Sequence, residues 1–248
     1  MLKAVLIDLD NTMVLFDEPA FYGRYFERLA PRFVDLWPSE MFQRRLIEAI
    51  GALSGNKGEK SNRAFFLDAF TRGTDLAADG IWQRFLDFYR TDYDRIPVDA
   101  VVPEGLHEAL AELEQSGLPL VVATNPVFPL MVQEKRLSWA GLTPGRFALV
   151  THMENTSYVK PRAGYYRQIC ERLGERPENC LMVGNDRVND MAAARTGMKT
   201  YLTDEVDPID YGSLSLTNDG HRAPLVGPTP DFTGSFADVP DAVARLMR

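Results

Sequence analysis

The chain has 248 residues, 45% hydrophobic and 25% charged, an ordinary composition for a globular protein large enough for a core plus a smaller domain. A formal net charge of −8 disfavours nucleic-acid partners and acidic membranes, while an anionic substrate can still be held by local positive charge. With two cysteines, Cys170 and Cys180, no long apolar window and no leader-like N-terminus, the expectation is a reduced cytoplasmic protein that spans no membrane.

In chain order, Val5-Leu6-Ile7 reads as a buried strand that stops at Asp8-Leu9-Asp10-Asn11-Thr12. On an extended backbone the i, i+2 spacing aims the carboxylates of Asp8 and Asp10 to one side. Charges at the end of a buried strand are costly unless paired, and ligands of open α/β sheets bind at that end. Asp8 and Asp10 are therefore the expected centre of an active site. Residues 16–98 break the rhythm, with amphipathic stretches at 21–34, 39–53, 62–71 and 81–93 and no convincing strand. A helical insertion at this point is placed to cover the sheet's carboxyl edge as a cap. Within it, segment 54–63 carries Lys57 and Lys60 and suits either a substrate-reading loop or a solvated turn.

Beyond residue 99, strands at 118–123, 147–150, 180–183 and 199–202 alternate with helical patterns at 104–116, 126–140, 163–173 and 188–196. Such alternation predicts an α/β fold with a doubly wound parallel sheet. The expected division is an α/β core of residues 1–15 and 99–248 and a helical cap of residues 16–98. Segment 205–230, rich in Gly, Pro, Asp and Ser, is too long for an ordinary loop and fits a hairpin or an excursion near the site mouth. His107, His152 and His221 are unclustered and read as surface or loop residues, and the two cysteines as small core residues.

Three further strand ends are polar. Thr124-Asn125, with Pro126 in a first helical turn, offers an anion cradle or equally a simple N-cap pair. Lys160 lies just before the helix at 163. Asp186 and Asp190 are four apart where the strand at 180–183 gives way to a helix. They suit Mg²⁺ as oxygen donors, or serve as a cap and a first-turn acid.

In this order, Asp-x-Asp-x-Thr, a strand-end Thr, a Lys and a strand-end acidic pair resemble the haloacid dehalogenase superfamily, over residues 1–15 and 99–204. The insertion resembles that superfamily's type-one helical cap. The resemblance implies a Rossmann-like core and a Mg²⁺-dependent phosphomonoester hydrolase acting on a small phosphorylated metabolite through an aspartyl-phosphate. It implies Asp8 as nucleophile, Asp10 as general acid and base, Lys160 as neutralising cation and Thr124 with Asn125 as the phosphoryl cradle. Asp8, the Asp10 carbonyl and Asp186 are the implied Mg²⁺ ligands, with Asp190 a further ligand or a support, and Thr12 orients the turn. Dehalogenases of the superfamily lack the second acid, so Asp10 favours phosphate esters. The alternatives are a phosphomutase of the same superfamily and a non-catalytic binding member.

Overall fold

The computed structural model describes residues 1–206 and 227–248, so most of the Gly/Pro-rich segment 205–230 lies outside the described residues. Six parallel strands form one sheet: β1 (Ala4–Ile7), β2 (Leu120–Val122), β3 (Leu149–Val150), β4 (Cys180–Gly184), β5 (Lys199–Thr203) and β6 (Phe232–Gly234). Their spatial order is β3-β2-β1-β4-β5-β6, the doubly wound arrangement the alternation predicts. The strand order reverses between β1 and β4. Ile7 pairs with both Val122 and Val183, so the residues after these three strands emerge at one edge.

All four residues of β1 are buried, because helices cover both faces of the sheet. The period-2 alternation sends Val5, Ile7, Val122 and Val183 to one face and Ala4, Leu6, Val121 and Met182 to the other. The second face packs on Tyr165, Tyr166 and Ile169 of the helix Ala163–Leu173, together with Ala192 and Ala193. Cys170 and Cys180 are small residues of this layer, their sulfurs 3.6 Å apart.

Between β1 and β2 the chain forms α1 (Glu18–Leu29), α2 (Ser39–Ala52), α3 (Asn62–Phe70) and α4 (Ala78–Thr91), and no strand. Phe33 stacks on Phe42 at 4.6 Å and meets Phe85 at 4.8 Å, an aromatic centre built from three separate helical segments. The chain enters and leaves this insertion through a narrow neck. Leu15 and Val101 exchange backbone hydrogen bonds of 2.8 and 2.9 Å in an isolated antiparallel bridge. No helix of the described residues is long and apolar enough to cross a membrane.

After the insertion come α5 (Leu106–Gln115), α6 (Leu130–Trp139), α7 (Ala163–Leu173) and α8 (Val239–Met247). Two helices depart from expectation. The helix predicted from Pro126 starts at Leu130: Pro129 disfavours helical backbone at Phe128, whose carbonyl accepts a hydrogen bond from the Met153 amide instead. The helix predicted over 188–196 is a turn followed by a 3-10 helix, Met191–Thr196. Here the Asp186 carboxylate accepts the Val188 and Asn189 amides, a local competitor of helical bonding. β6 and α8 have no counterpart in the sequence reading. A three-residue edge strand carries too short an alternation to register.

Candidate active site

β1 ends at Ile7, and the Asp8 amide still bonds the Val183 carbonyl, so Asp8 is held at the sheet edge between β1 and β4. The turn that follows closes on Leu9, whose carbonyl accepts from the Thr12, Met13 and Val14 amides. Asn11 takes the left-handed conformation this turn requires, at φ 57°. Its side chain then ties the turn down, accepting from the Phe16 amide and donating to Glu18. Thr12 is fully buried, with its hydroxyl 3.1 Å from both the Asn185 amide and the Asn185 side-chain oxygen. It orients the turn and links β1 to the segment after β4.

Lys160 brings the motifs together. It is 2% exposed, and its ammonium donates to Asp8 Oδ1 at 2.6 Å and Asp190 Oδ1 at 2.5 Å. An isolated buried ammonium would be strongly disfavoured; two carboxylate partners remove that penalty. Burial opposes its charge, but Asp190 and Asp8 outweigh burial and hold its pKa well above the usual lysine value. Asn125 contributes from the β2 edge, accepting the Lys160 amide on its side-chain oxygen at 3.3 Å. The neighbouring Thr124 is buried, its carbonyl anchored by the Thr151 and Tyr165 hydroxyls at 2.7 and 2.8 Å. Because α6 begins six residues after Thr124, no helix N-terminus abuts Thr124-Asn125, so a cradle here would rest on the Thr124 hydroxyl and the Asn125 side chain without a helix end.

Asp186 and Asp190 are also buried. Asp190 Oδ2 accepts the Asp186 amide at 3.0 Å, so each Asp190 oxygen has a protein donor. Gly184 makes room for it: a Cβ there would lie 2.2 Å from Asp190 Oδ2. Burial pushes the Asp190 carboxyl up to about 8 against the pull of Lys160. Asp8 is likewise raised by burial and lowered by Lys160, with Asp186 adding repulsion.

Asp10 turns elsewhere. Its Oδ2 meets Nη1 of Arg136 on α6, in a close ion pair that sequence reasoning missed. Arg136 is 1% exposed; its Nε donates to the Tyr93 hydroxyl at 3.0 Å and its Nη2 to the Tyr22 hydroxyl at 3.3 Å. Phe128 lies beneath the guanidinium at 4.5 Å. Asp10 Oδ1 is buried and has no partner among the described residues. Burial raises the Asp10 carboxyl and Arg136 lowers it, while burial followed by the Asp10 charge pushes Glu18 up to about 8. A signal for Arg136 did exist, since α6 puts Gln133 and Arg136 on the face that also buries Val132 and Leu137.

Among the described residues, no group of three or more His, Cys, Asp or Glu side chains is gathered as a cation cage. The Asp10 carboxylate pairs with Arg136, so a metal would meet this residue through its carbonyl, and the Asp190 carboxylate is engaged by Lys160 and the Asp186 amide. The donor chemistry nevertheless fits Mg²⁺. The buried carboxylates of Asp8 and Asp190 share the Lys160 ammonium and Asp186 lies close enough to repel both, a clustering of oxygen donors that suits a hard cation. His107 is exposed, His152 pairs with Glu154 at 2.6 Å, and His221 lies outside the described residues. Lys60 is exposed and bound to Asp68, away from this centre.

A family model described as a hydrolase, haloacid dehalogenase-like hydrolase, matches residues 2–197. The ribulose-1,5-bisphosphate 5-phosphatase of Halopiger xanaduensis is 27% identical over 216 residues, covering 85% of this chain and 88% of its own. The N-acetylmuramic acid 6-phosphate phosphatase of Pseudomonas putida is 28% identical over 219 residues, covering 86% and 90%. Among solved structures, a 2-haloacid dehalogenase from Pseudomonas syringae pv. tomato aligns over 99% of both chains with a TM-score of 0.58 at 18% identity. An HAD phosphatase from Thermococcus onnurineus aligns over 98% of both with a TM-score of 0.53, also at 18% identity. These two structural likenesses show a shared fold.

Proposed function

Because the chain belongs to the haloacid dehalogenase-like hydrolases, we propose that it is a phosphatase, a Mg²⁺-dependent hydrolase of small phosphomonoesters that works through an aspartyl-phosphate. The relatives named above are phosphatases of small phosphorylated metabolites. The observation that carries the mechanism is the buried Asp8–Lys160 ion pair at the edge of β1, next to an Asp10 with one unpartnered oxygen. A dehalogenase needs no such second acid, because a halide leaves without a proton.

In the first step Asp8 attacks phosphorus as the bond to the leaving oxygen breaks, and Asp10 gives that oxygen a proton. In the second, Asp10 takes a proton from a water that attacks the phosphorus of the aspartyl-phosphate, releasing inorganic phosphate and restoring Asp8. Lys160 offsets charge on Asp8 and on the phosphoryl group. The Thr124 hydroxyl and the Asn125 amide group hold the phosphoryl oxygens. Asp8, the Asp10 carbonyl and Asp186 would hold Mg²⁺, which when bound supplies positive charge to the phosphoryl oxygens. Asp190 supports from behind, fixing Lys160 and the Asp186 backbone. Residues 16–98 act as the cap over this core, which comprises 1–15 and 99–248.

Turnover of a panel of sugar phosphates, phosphorylated acids and nucleotides with Mg²⁺ is the direct test. Asp8→Asn abolishes turnover of every ester. Asp10→Asn lowers it about 100- to 10,000-fold on an alkyl phosphate, the usual contribution of general acid–base catalysis. Acid-quenched mass spectrometry of the Asp10→Asn protein then shows a phosphoryl adduct on Asp8. Hydrolysis that survives Asp8→Asn would rule out the covalent route, and no hydrolysis of any ester would rule out the phosphatase.

A further inference from the structure

Arg136 lies outside the motifs that suggest the reaction, yet it is the ion-pair partner of the acid expected to move protons. Its own position is fixed on every side. Tyr93 and Tyr22, both from the insertion, accept from Nε and Nη2, and Phe128 and Phe21 flank the guanidinium at 4.5 and 5.6 Å. A planar guanidinium held at two nitrogens and by ring faces has no rotational freedom left, unlike a lysine at the same place. The remaining nitrogen, Nη1, meets Asp10 Oδ2 alone.

The consequence falls on Asp10. A carboxyl group that rotates about its last bond presents either oxygen to a substrate. Pinning Oδ2 removes that rotation and leaves Oδ1, which is buried and has no partner among the described residues, as the oxygen available for chemistry. Buried polar oxygens left without a partner are rare, so such an atom points to a group that arrives later. With a proton on Oδ1, the bridging ester oxygen of a substrate is such a group, accepting the hydrogen bond.

We propose that Arg136 is a positioning residue: it acts through Asp10, holding Oδ2 so that Oδ1 faces the oxygen that leaves phosphorus. This rests on the phosphatase assignment above, in which Asp10 Oδ1 delivers its proton to the leaving oxygen as the P–O bond breaks. The same contacts tie α6 to Tyr22 and Tyr93 in the insertion, so Arg136 also has structural weight. A structural role and a positioning role separate by the chemistry of the leaving group. A p-nitrophenolate leaves with little help from a proton, whereas an alkoxide needs one.

The test compares p-nitrophenyl phosphate with an alkyl phosphate such as β-glycerol phosphate, using the full chain with Mg²⁺. The variants are Arg136→Lys, Arg136→Gln and Tyr93→Phe, the last of which frees the guanidinium without removing it. The expected result is a kcat on the alkyl ester lowered about 10- to 100-fold in the Arg136 variants, part of the full acid–base contribution. On the aryl ester the fall stays within about threefold, KM changes little on either, and Tyr93→Phe shows the same asymmetry at smaller size. Equal losses on both esters in the folded variants, or no loss on the alkyl ester, would overturn the proposal. Should the Arg136 variants not fold, Tyr93→Phe alone decides by the same criterion. Failure of the wild-type chain to hydrolyse either ester overturns the phosphatase assignment and the proposal together. Wild-type hydrolysis of both, with variants blind to the leaving group, overturns the proposal alone.

Discussion

Lys160 and Gly184 illustrate how single residues build the centre. The lysine's ammonium is shared between Asp8 and Asp190, and Asp190 can reach it because residue 184 has no side chain. A methyl group at 184 would stand 2.2 Å from Asp190 Oδ2, the oxygen that accepts the Asp186 amide. Gly184→Ala therefore pushes Asp190 off both of its partners. The expected cost is about 1–3 kcal/mol, as for other overpacked sites, and it is read from urea denaturation. Phosphatase activity falls more steeply than stability, since Lys160 loses the group that aims it at Asp8.

At the scale of elements, besides the contacts of α6 with Tyr22, Tyr93 and Asp94, two attachments that use the backbone fasten the insertion to the core. One is the neck between Leu15 and Val101. The other is the segment 54–63, which docks on the loop after β3. Asn62, fully buried at the start of α3, donates to Thr156 Oγ1 at 3.1 Å and to the Tyr158 carbonyl at 2.9 Å, and accepts from Asn56 at 2.9 Å. Its backbone amide bonds the Thr156 carbonyl as well. Asn62→Ala leaves those side-chain partners unsatisfied in a buried place, at about 1–3 kcal/mol. For a chain of this length that is a fall of roughly 2–12 °C in melting temperature, measured by calorimetry. The same substitution raises KM for phosphate esters, because the docked loop leads by way of Tyr158 to Lys160.

For the whole molecule, charge is the governing quantity. A net −8 is spread over the chain, but three buried carboxylates, Asp8, Asp186 and Asp190, lie close together at the sheet edge, with the Lys160 ammonium shared by Asp8 and Asp190. Self-repulsion of that kind is relieved by a cation that binds the folded state and not the unfolded one. Raising MgCl₂ to about 100 times its dissociation constant stabilises the fold by about 2.7 kcal/mol, which is about 5–11 °C for a chain of this size. Asp186→Asn removes one of the charges and most of this shift. A melting temperature indifferent to MgCl₂ would exclude the proposed metal site.

Much of the architecture is local and was legible along the chain. The apolar runs of β1, β2 and β4 each end at a polar residue, and strand periodicity places those ends without reference to anything distant. Asp8, Thr124 and Asp186 stand at or just beyond such ends, whereas Lys160, ten residues past β3, is marked only by its place before α7, whose boundaries match expectation. The partnerships were not local. Asp10 and Arg136 are 126 residues apart, and only the packing of α6 against the insertion makes them an ion pair. The late start of α6 was decided by Pro129 and by a hydrogen bond from Met153 across the fold, and the docking of Asn62 by a loop 94 residues away. A sequence declares which side chains stand at a strand's end, because backbone geometry repeats every two residues. Which of them share a proton or a charge depends on distances of a few ångströms that the folded chain alone sets.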